Sequence, residues 1–237
     1  MIMNNSQQIE FVVKGDYALF TDPITRIGGE KWSYQIPTYE ALKGILASVY
    51  WKPTFIWYID AVRVMNPIQT EVKGIRPIIY DSATEKNTLA YYTYLKDVEY
   101  RVKAHFEWNK NRPELVSDRS FVKHKSITNR MIEKGGRRDV FLGTRECQAY
   151  VIPGKFEDGA GFYDNISHLS FGPMVHGITY PDEAYDDFTK GHITQNIWSP
   201  VMNNGIIEFI RPEKCKHNRL HECEMKKFGR RYADNAI

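Results

Sequence analysis

The sequence predicts an α+β fold, and three observations predict it. Several stretches alternate apolar and polar residues, which is the pattern of a strand with one buried face. Two other stretches carry apolar residues at helical spacing. Hydrophobic residues make up 42% of the chain and aromatic residues 14%, as is typical of a folded, strand-rich protein. The elements follow the order strand, helix, strands, helix, strand, which favours a ferredoxin-like, or RRM-like (RNA-recognition-motif-like), domain with insertions.

A strand and a helix open the predicted domain. The strand covers residues 9 to 20: positions 9, 11 and 13 are apolar, and Gly15-Asp16 interrupts the run as a β-bulge would. In the helix, Thr38 is a suitable N-cap, and the apolar residues at positions 39, 42, 45, 46 and 49 share one face. Because Pro53 restricts the residue before it, the helix ends near Trp51-Lys52.

The middle of the chain is predicted to be a run of strands that includes a β-hairpin insertion. Residues 54 to 65 are rich in Ile, Val and aromatic residues, which indicates a strand buried on both faces. Residues 98 to 108 alternate cleanly, with a polar face of mixed charge. Residues 67 to 81 are predicted as an edge strand and residues 88 to 94 as a further strand.

A second helix and two short strands close the predicted domain. The helix runs from Val122 to Lys134 and stops at Gly135, a natural C′ residue. Residues 139 to 142 and 146 to 152 are predicted as the closing strands. This assigns residues 1–153 to the ferredoxin-like domain.

The remaining residues, 154–237, are predicted to form a small C-terminal antiparallel β-sheet subdomain with a basic tail. The stretch from Lys155 to Ala160 is predicted as the boundary between the two domains, and residues 174 to 179 and 196 to 211 are predicted as strands. Asn203-Asn204-Gly205 indicates a hairpin turn within the second of these.

Composition limits where the protein works and what it can bind. A net charge of +3 is only mildly basic, so any nucleic-acid surface must be a local patch. Three cysteines do not make a disulfide framework, which favours a reducing compartment. The start of the chain has no signal-peptide pattern, and no apolar run is long enough to span a bilayer. We therefore expect a cytoplasmic protein.

The stretch from Ser117 to Ala149 holds the residues best suited to chemistry. Lys123 and His124 fall in the first turn of the second helix, where free backbone N–H groups favour an anion. A proton-transfer group beside a cation can promote attack of a ribose 2′-OH on its own phosphate without a metal. A solvated basic helix end is the alternative.

Guanidinium groups for phosphate are the second requirement. The candidates are Arg137, Arg138 and Arg145, with Arg26 and Lys31 beside Gly28-Gly29 as weaker ones. The alternative for the arginine pair is an ion pair with Asp139 or Glu146.

Two further positions leave alternatives open. Tyr50 lies in the last turn of the first helix, rotated off its apolar face, so the phenol is either a core group or a site group. In the tail, Cys215, His217, His221 and Cys223 supply four soft or borderline ligands within nine residues. Zinc is one alternative for them; the other is a basic tail without a metal, whose order the sequence leaves open.

The chain resembles a known family along most of its length. The runs FTDPITRIGGEKWSYQIPTYEALKGI, NPIQTEVKGIRPI, NTLAYYTYLKDVEYRVKAHF and GGRRDVFLGTRECQAYV are similar to those of the CRISPR-associated Cas-five family, in its d form from subtype I-C systems. The resemblance covers about residues 9 to 205. It implies a ferredoxin-like domain with a protruding β-hairpin, followed by a small antiparallel sheet.

The resemblance also implies an activity. It implies cleavage of precursor RNA at the 3′ base of the repeat hairpin, without a metal or cofactor, leaving a 2′,3′-cyclic phosphate and a 5′-OH. The product would stay bound by its 5′ handle, with the protein a subunit of a surveillance complex beside backbone and large subunits. Non-specific binding of duplex DNA is a possible side property.

The same resemblance implies three catalytic residues. The family's tyrosine, lysine and histidine fall on Tyr50, Lys123 and His124. His124 would be general base or acid, Lys123 would stabilise the phosphorane, and Tyr50 would position the 2′-OH or shuttle a proton. The loop before the pair, DRSFVKHKSI, departs from the family pattern at Phe121 and Val122, which bears on where the helix starts.

Two other functions compete with this one. The first is a subunit that only holds the 5′ handle, which would not need a Lys-His pair. The second is a metal-dependent DNA nuclease, which would need an acidic cluster that the basic stretch does not offer.

Overall fold

The computed structural model describes residues 8–77 and 89–225. The strands are β1 (Ile9–Ala18), β2 (Lys31–Trp32), β3 (Phe55–Val64), β4 (Gln69–Ile75), β5 (Ala90–Trp108), β6 (Val140–Phe141), β7 (Gln148–Pro153), β8 (Leu169–Ser170), β9 (Met174–Thr179), β10 (His192–Trp198), β11 (Val201–Asn203), β12 (Ile206–Glu208) and β13 (Lys216–Glu222), and the helices are α1 (Tyr39–Val49) and α2 (Phe121–Glu133). The last residues of the predicted strand 67–81, and Thr88 of the next, lie outside the described residues.

The protein is a mixed α/β structure with two antiparallel sheets. The main sheet has the order β6-β7-β1-β5-β3-β12-β11-β8, with β2 and β4 added on β5. Its central strands β7, β1, β5 and β3 pair antiparallel with one another and alternate in the chain with the two helices, whereas β2 pairs parallel with β5. The second sheet has the order β13-β10-β9. No helix in the described part of the chain is long and apolar enough to cross a membrane.

Helix α1 begins where the sequence predicts and ends at Val49, two residues before the predicted end at Trp51-Lys52. The Thr38 side chain accepts a hydrogen bond from the Ala41 N–H, at 3.1 Å, and so caps the first turn. The predicted apolar face is buried against the sheet. Tyr50, predicted in the last turn, follows the helix as its C-cap: its backbone is extended, and its N–H still donates to the carbonyl of Leu46 at 2.8 Å.

Helix α2 starts one residue before the predicted position and stops at the predicted glycine pair. Phe121 is its first residue, and its ring stacks on Phe106 with 5.1 Å between centroids. Gly135 and Gly136 have φ values of 80° and 115°, a conformation that favours glycine. The sharp stop sends the following residues back toward the end of α1.

The structure corrects the prediction for the hairpin insertion. The segments expected as separate strands are one 19-residue strand, β5, which passes through Asp97 at a φ of 49°. The first part of β5 pairs with β4, and its later part pairs with β1 and β3. A bend at one residue therefore joins the inserted hairpin to the central sheet.

The C-terminal part also differs from the prediction. The hairpin β11–β12 turns at Asn204 and Gly205 as predicted, but β12 pairs with β3 and so extends the main sheet. Only β9, β10 and β13 make a separate sheet. The tail, whose order the sequence left open, contains β13, which pairs along β10.

Candidate active site

The fold brings Tyr50 and His124 into direct contact. Tyr50 caps the end of α1, and His124 lies in the first turn of α2, 74 residues later in the chain. The Tyr50 hydroxyl lies 2.8 Å from Nδ1 of His124. Tyr50 is a buried residue, and its phenol is aimed at the predicted proton-transfer group.

The direction of this hydrogen bond follows from the other side of the imidazole. Nε2 of His124 lies 2.8 Å from the backbone carbonyl of Asp118 and 3.5 Å from its Oδ2, and both oxygens only accept. Nε2 must therefore carry a hydrogen. In the neutral ring, Nδ1 is then an acceptor, and the Tyr50 O–H donates to it.

Aromatic rings enclose the imidazole. The His124 ring lies at centroid distances of 5.2 Å from Phe55, 5.8 Å from Trp108 and 6.2 Å from Phe106. His124 is 0% exposed and Tyr50 3% exposed. Water is thus kept from both the imidazole and the phenol.

Asp118 is the residue that links the site together, and the sequence analysis missed it. Its carboxylate accepts from the Thr54 hydroxyl at 2.7 Å and forms an ion pair with the Lys123 ammonium. Hydrogen bonding by Lys123, then Thr54 and the charge of His124, hold the pKa of Asp118 below its usual value. Asp118 is therefore an anion at neutral pH. In the sequence Asp118 lies three positions before the first residue of α2, and nothing local marks it as a partner of Lys123 and His124.

Burial and two neighbouring charges act on the pKa of Tyr50. Loss of contact with water, followed by the negative charge of Asp118, raises the pKa of the phenol, while Arg137 works to lower it. The backbone carbonyl of Tyr50 accepts a hydrogen bond from the Trp57 indole at 2.8 Å. Tyr50 is thus held rigidly in its neutral form.

Lys123 is the part of the site that faces solvent. Its side chain is 49% exposed, while that of its partner Asp118 is 29% exposed. Phe121 and Val122, where the loop departs from the family pattern, do not misdirect the helix. Phe121 packs on Phe106, and Val122 is 76% exposed. Lys123 consequently points outward while His124 points inward.

Arg137 and Arg138 flank a groove beside Tyr50. The groove has a volume of about 550 Å³ and is lined by residues 47–48, Trp51, Lys52, Pro53 and the two arginines. The Arg138 N–H donates to the carbonyl of Ser48 at 3.1 Å, which ties the arginine pair to the end of α1. We call this the Trp51 groove. Among the residues that the structure describes, neither arginine forms the ion pair with Asp139 or Glu146 that was the alternative.

The other cationic candidates lie apart from this groove. Arg145 is exposed and its guanidinium lies 5.7 Å from the Phe141 ring centroid. Lys31 lies over the Tyr92 ring at 4.7 Å. Arg26 is exposed in a short 3₁₀ turn. Only the pair at positions 137 and 138 lines a groove beside the end of α1 that Tyr50 caps.

The structure spreads the four residues of the zinc alternative along one strand. Cys215, His217, His221 and Cys223 lie along or beside β13, where each residue advances the chain by about 3.3 Å. His217 instead contacts Oδ1 of Asn196 at 3.0 Å. Among the described residues, no group of three or more His, Cys, Asp or Glu side chains could hold a metal ion.

Comparison with sequence families gives a match over most of the chain. The Cas5d model, described as a CRISPR-associated protein (Cas_Cas5), matches residues 8–210. A Thermus thermophilus protein called CRISPR pre-crRNA endoribonuclease Cas5d is 29% identical over 188 residues, which are 74% of this chain and 75% of that protein. A Mannheimia succiniciproducens protein of the same name is 26% identical over 232 residues, covering 86% of this chain and 95% of the relative.

Two solved structures are also similar to this chain. One described as a CRISPR-associated protein is 37% identical, with a TM-score of 0.74 over 90% of this chain and 96% of its own. A functionally uncharacterized protein from Streptococcus mutans is 39% identical, with a TM-score of 0.72 over 90% of this chain and 97% of its own.

Proposed function

The chain belongs to the CRISPR-associated Cas5 family, in its Cas5d form, and from this premise we propose that it is an endoribonuclease that processes CRISPR precursor RNA. It cuts at the 3′ base of the repeat hairpin without a metal, in the cytoplasm. It then keeps the 5′ handle as a subunit of the subtype I-C complex, beside backbone and large subunits. The names of the two relatives support the activity. The observation that carries it is the Tyr50–His124 hydrogen bond with Nε2 fixed by Asp118.

The fold assignment within this proposal is ferredoxin-like. The support is the chain order β1-α1-β3-β5-α2-β7 combined with the sheet order β7-β1-β5-β3, all antiparallel. We place the end of this unit at residue 153. Of the strands after it, β8, β11 and β12 extend the main sheet, and β9, β10 and β13 form the three-stranded sheet.

Tyr50 is the group that takes the proton from the 2′-OH. As the 2′ oxygen attacks the phosphorus, its proton passes to the Tyr50 oxygen and the phenol proton passes to Nδ1 of His124. The bond from phosphorus to the 5′ oxygen breaks, which leaves a 2′,3′-cyclic phosphate and a 5′-OH. A DNA strand lacks the attacking group, which restricts the reaction to RNA.

The relay explains how a phenol with a raised pKa can act at neutral pH. A free tyrosinate would be scarce, because burial and Asp118 both disfavour the anion. In the relay, Tyr50 gives up one proton as it gains another, so no phenolate accumulates. The charge that forms is an imidazolium, and the Asp118 carboxylate 3.5 Å from Nε2 stabilises it.

Lys123 acts on the other side of the phosphate. We assign it two roles: it stabilises the negative charge of the phosphorane, and it protonates the leaving 5′ oxygen. In the RNA-free protein its ammonium is paired with Asp118. The scissile phosphate competes with that carboxylate for Lys123, which couples RNA binding to assembly of the site.

Phosphate contacts hold the repeat RNA in place. Arg137 and Arg138 contact the backbone near the cut, and Arg145, Arg26 and Lys31 contact more distant phosphates. Because phosphate contacts carry little sequence information, the same cations would also support weak binding of duplex DNA.

The test is cleavage of the repeat RNA from the protein's own CRISPR array, in EDTA, by the wild type and by His124→Ala. We expect cleavage by the wild type and loss of it in His124→Ala, with RNA binding retained. A wild type that binds tightly but never cuts would support the second candidate, a subunit that only holds the handle. Cleavage that appears only after Mg²⁺ is added would instead indicate a metal-dependent nuclease.

A further inference from the structure

We propose that the Trp51 groove binds one unpaired nucleotide of the RNA next to the scissile phosphate, with its base stacked on the Trp51 indole. The inference rests on the proposed function, because the groove would be a subsite of the same active site. It adds a recognition element that the three catalytic residues do not provide.

The first argument is the fixed position of Trp51 relative to the catalytic phenol. Tyr50 directly precedes it, and the Tyr50 backbone is held at both ends: its N–H bonds to Leu46, and its carbonyl accepts from Trp57. The next residue therefore leaves the helix in a fixed direction. Trp51 is 45% exposed and lines the groove, so part of its indole is accessible there, one residue after the catalytic phenol.

The second argument is charge. Lys52, Arg137 and Arg138 are all exposed and line the same groove, and none of the described residues that line it is acidic. The hydrogen bond from Arg138 to Ser48 sets the arginine wall against the end of α1. A flat apolar platform surrounded by cations is the combination that binds single-stranded nucleic acid, because a nucleotide offers a π-face and an anion together.

The third argument is size and context. A volume of about 550 Å³ lies within the range of about 300–1,000 Å³ that holds small ligands. A base that is still paired cannot lay its whole face on a side chain, whereas an unpaired one can. A cut at the base of a hairpin has unpaired RNA directly beside it. The occupant we assign is therefore the unpaired nucleotide that flanks the hairpin.

The experiment uses the full-length protein and repeat RNA with a 2′-deoxy residue at the cut, so that binding is measured without cleavage. Trp51→Ala should weaken binding between about 5-fold and about 100-fold, the range for loss of one stacked base. Trp51→Phe should restore most of the affinity, because a ring remains. Phe162→Ala is the matched control: it removes an aromatic ring that is 59% exposed outside the groove, and it should leave the affinity unchanged.

A second measurement keeps the inference testable if Trp51→Ala folds poorly. 2-Aminopurine placed at the nucleotide beside the cut should lose fluorescence on binding the wild type, since stacking quenches it, and the same probe inside the hairpin stem should not respond. Unchanged fluorescence with the wild type, or equal losses of affinity in Trp51→Ala and Phe162→Ala, would overturn the inference. The readouts do not depend on cleavage. A protein that never cuts but shows both effects would refute the proposed function and leave the groove assignment standing.

Discussion

Replacing Tyr50 by phenylalanine should nearly abolish cleavage at a modest cost in stability. The change removes one oxygen, which donates to Nδ1 of His124 at 2.8 Å. Because His124 is fully buried, Nδ1 would be left without a partner, and this should lower the free energy of unfolding by about 1–3 kcal/mol. Cleavage should fall by about 10²–10⁴-fold, the range for loss of a proton-transfer group. RNA affinity should change little, since the phosphate-binding cations are intact.

The assay is single-turnover cleavage with protein in excess over labelled repeat RNA, alongside chemical denaturation. Tyr163→Phe is the matched control. The Tyr163 hydroxyl accepts one partly buried hydrogen bond, from the Ile68 N–H at 2.8 Å, just before strand β4 of the hairpin insertion. This variant should show a comparable loss of stability and wild-type cleavage. If Tyr50→Phe cleaves within about threefold of the wild type, less than the 10²-fold expected of a catalytic proton transfer, the relay through Tyr50 is wrong.

Three further predictions test the surroundings of the site and the fold. Asp118→Asn should slow cleavage by about 10- to 100-fold, because the anion that stabilises the imidazolium is lost, and the variant should bind RNA at least as tightly as the wild type. A single-turnover cleavage rate equal to that of the wild type would remove Asp118 from the mechanism. Gly143→Ala should be strongly destabilising, because its φ is 93° and a Cβ there would overlap the carbonyl oxygen of Leu19; an unchanged denaturation midpoint would show that the turn is not tight. Burial lowers the pKa of His176 to about 4, so the unfolded chain binds more protons between pH 6.5 and pH 4 and stability should fall as the pH drops through that window, by up to about 3 kcal/mol. His176→Gln should flatten this dependence, whereas an identical pH profile would assign it to other groups.

Local patterns predicted the two helices and most of the strands. The N-cap at Thr38 and the glycine pair after α2 act within a few residues of the elements that they bound, so the sequence contains the whole signal. The same holds for the turn at Asn204-Gly205. The family resemblance placed Tyr50 and His124 in one site, and the structure brings them into contact.

Contacts between segments that lie far apart in the chain could not be predicted from the sequence. Asp118 matters because Thr54, 64 residues earlier, and the backbone geometry before α2 aim it at both Lys123 and His124. No local pattern indicates that contact. β13 was likewise missed because its composition is polar, and its strand form depends on pairing with β10.

The continuity of β5 was missed for a different reason. Asp97 takes a left-handed conformation, which in isolation indicates a turn. Pairing with β4 on one part of the strand and with β1 and β3 on the other overrides that local preference.

The central claim is that the RNA's own 2′-OH attacks the phosphate without a metal. The most direct measurement is to incubate the wild type in EDTA with the repeat RNA and with the same RNA carrying one 2′-deoxy residue at the cut, and to analyse the product ends. The account predicts a 2′,3′-cyclic phosphate and a 5′-OH from the all-ribose RNA and no cleavage of the deoxy RNA. Cleavage of the deoxy RNA at the same bond, or products that carry a 5′ phosphate, would contradict it.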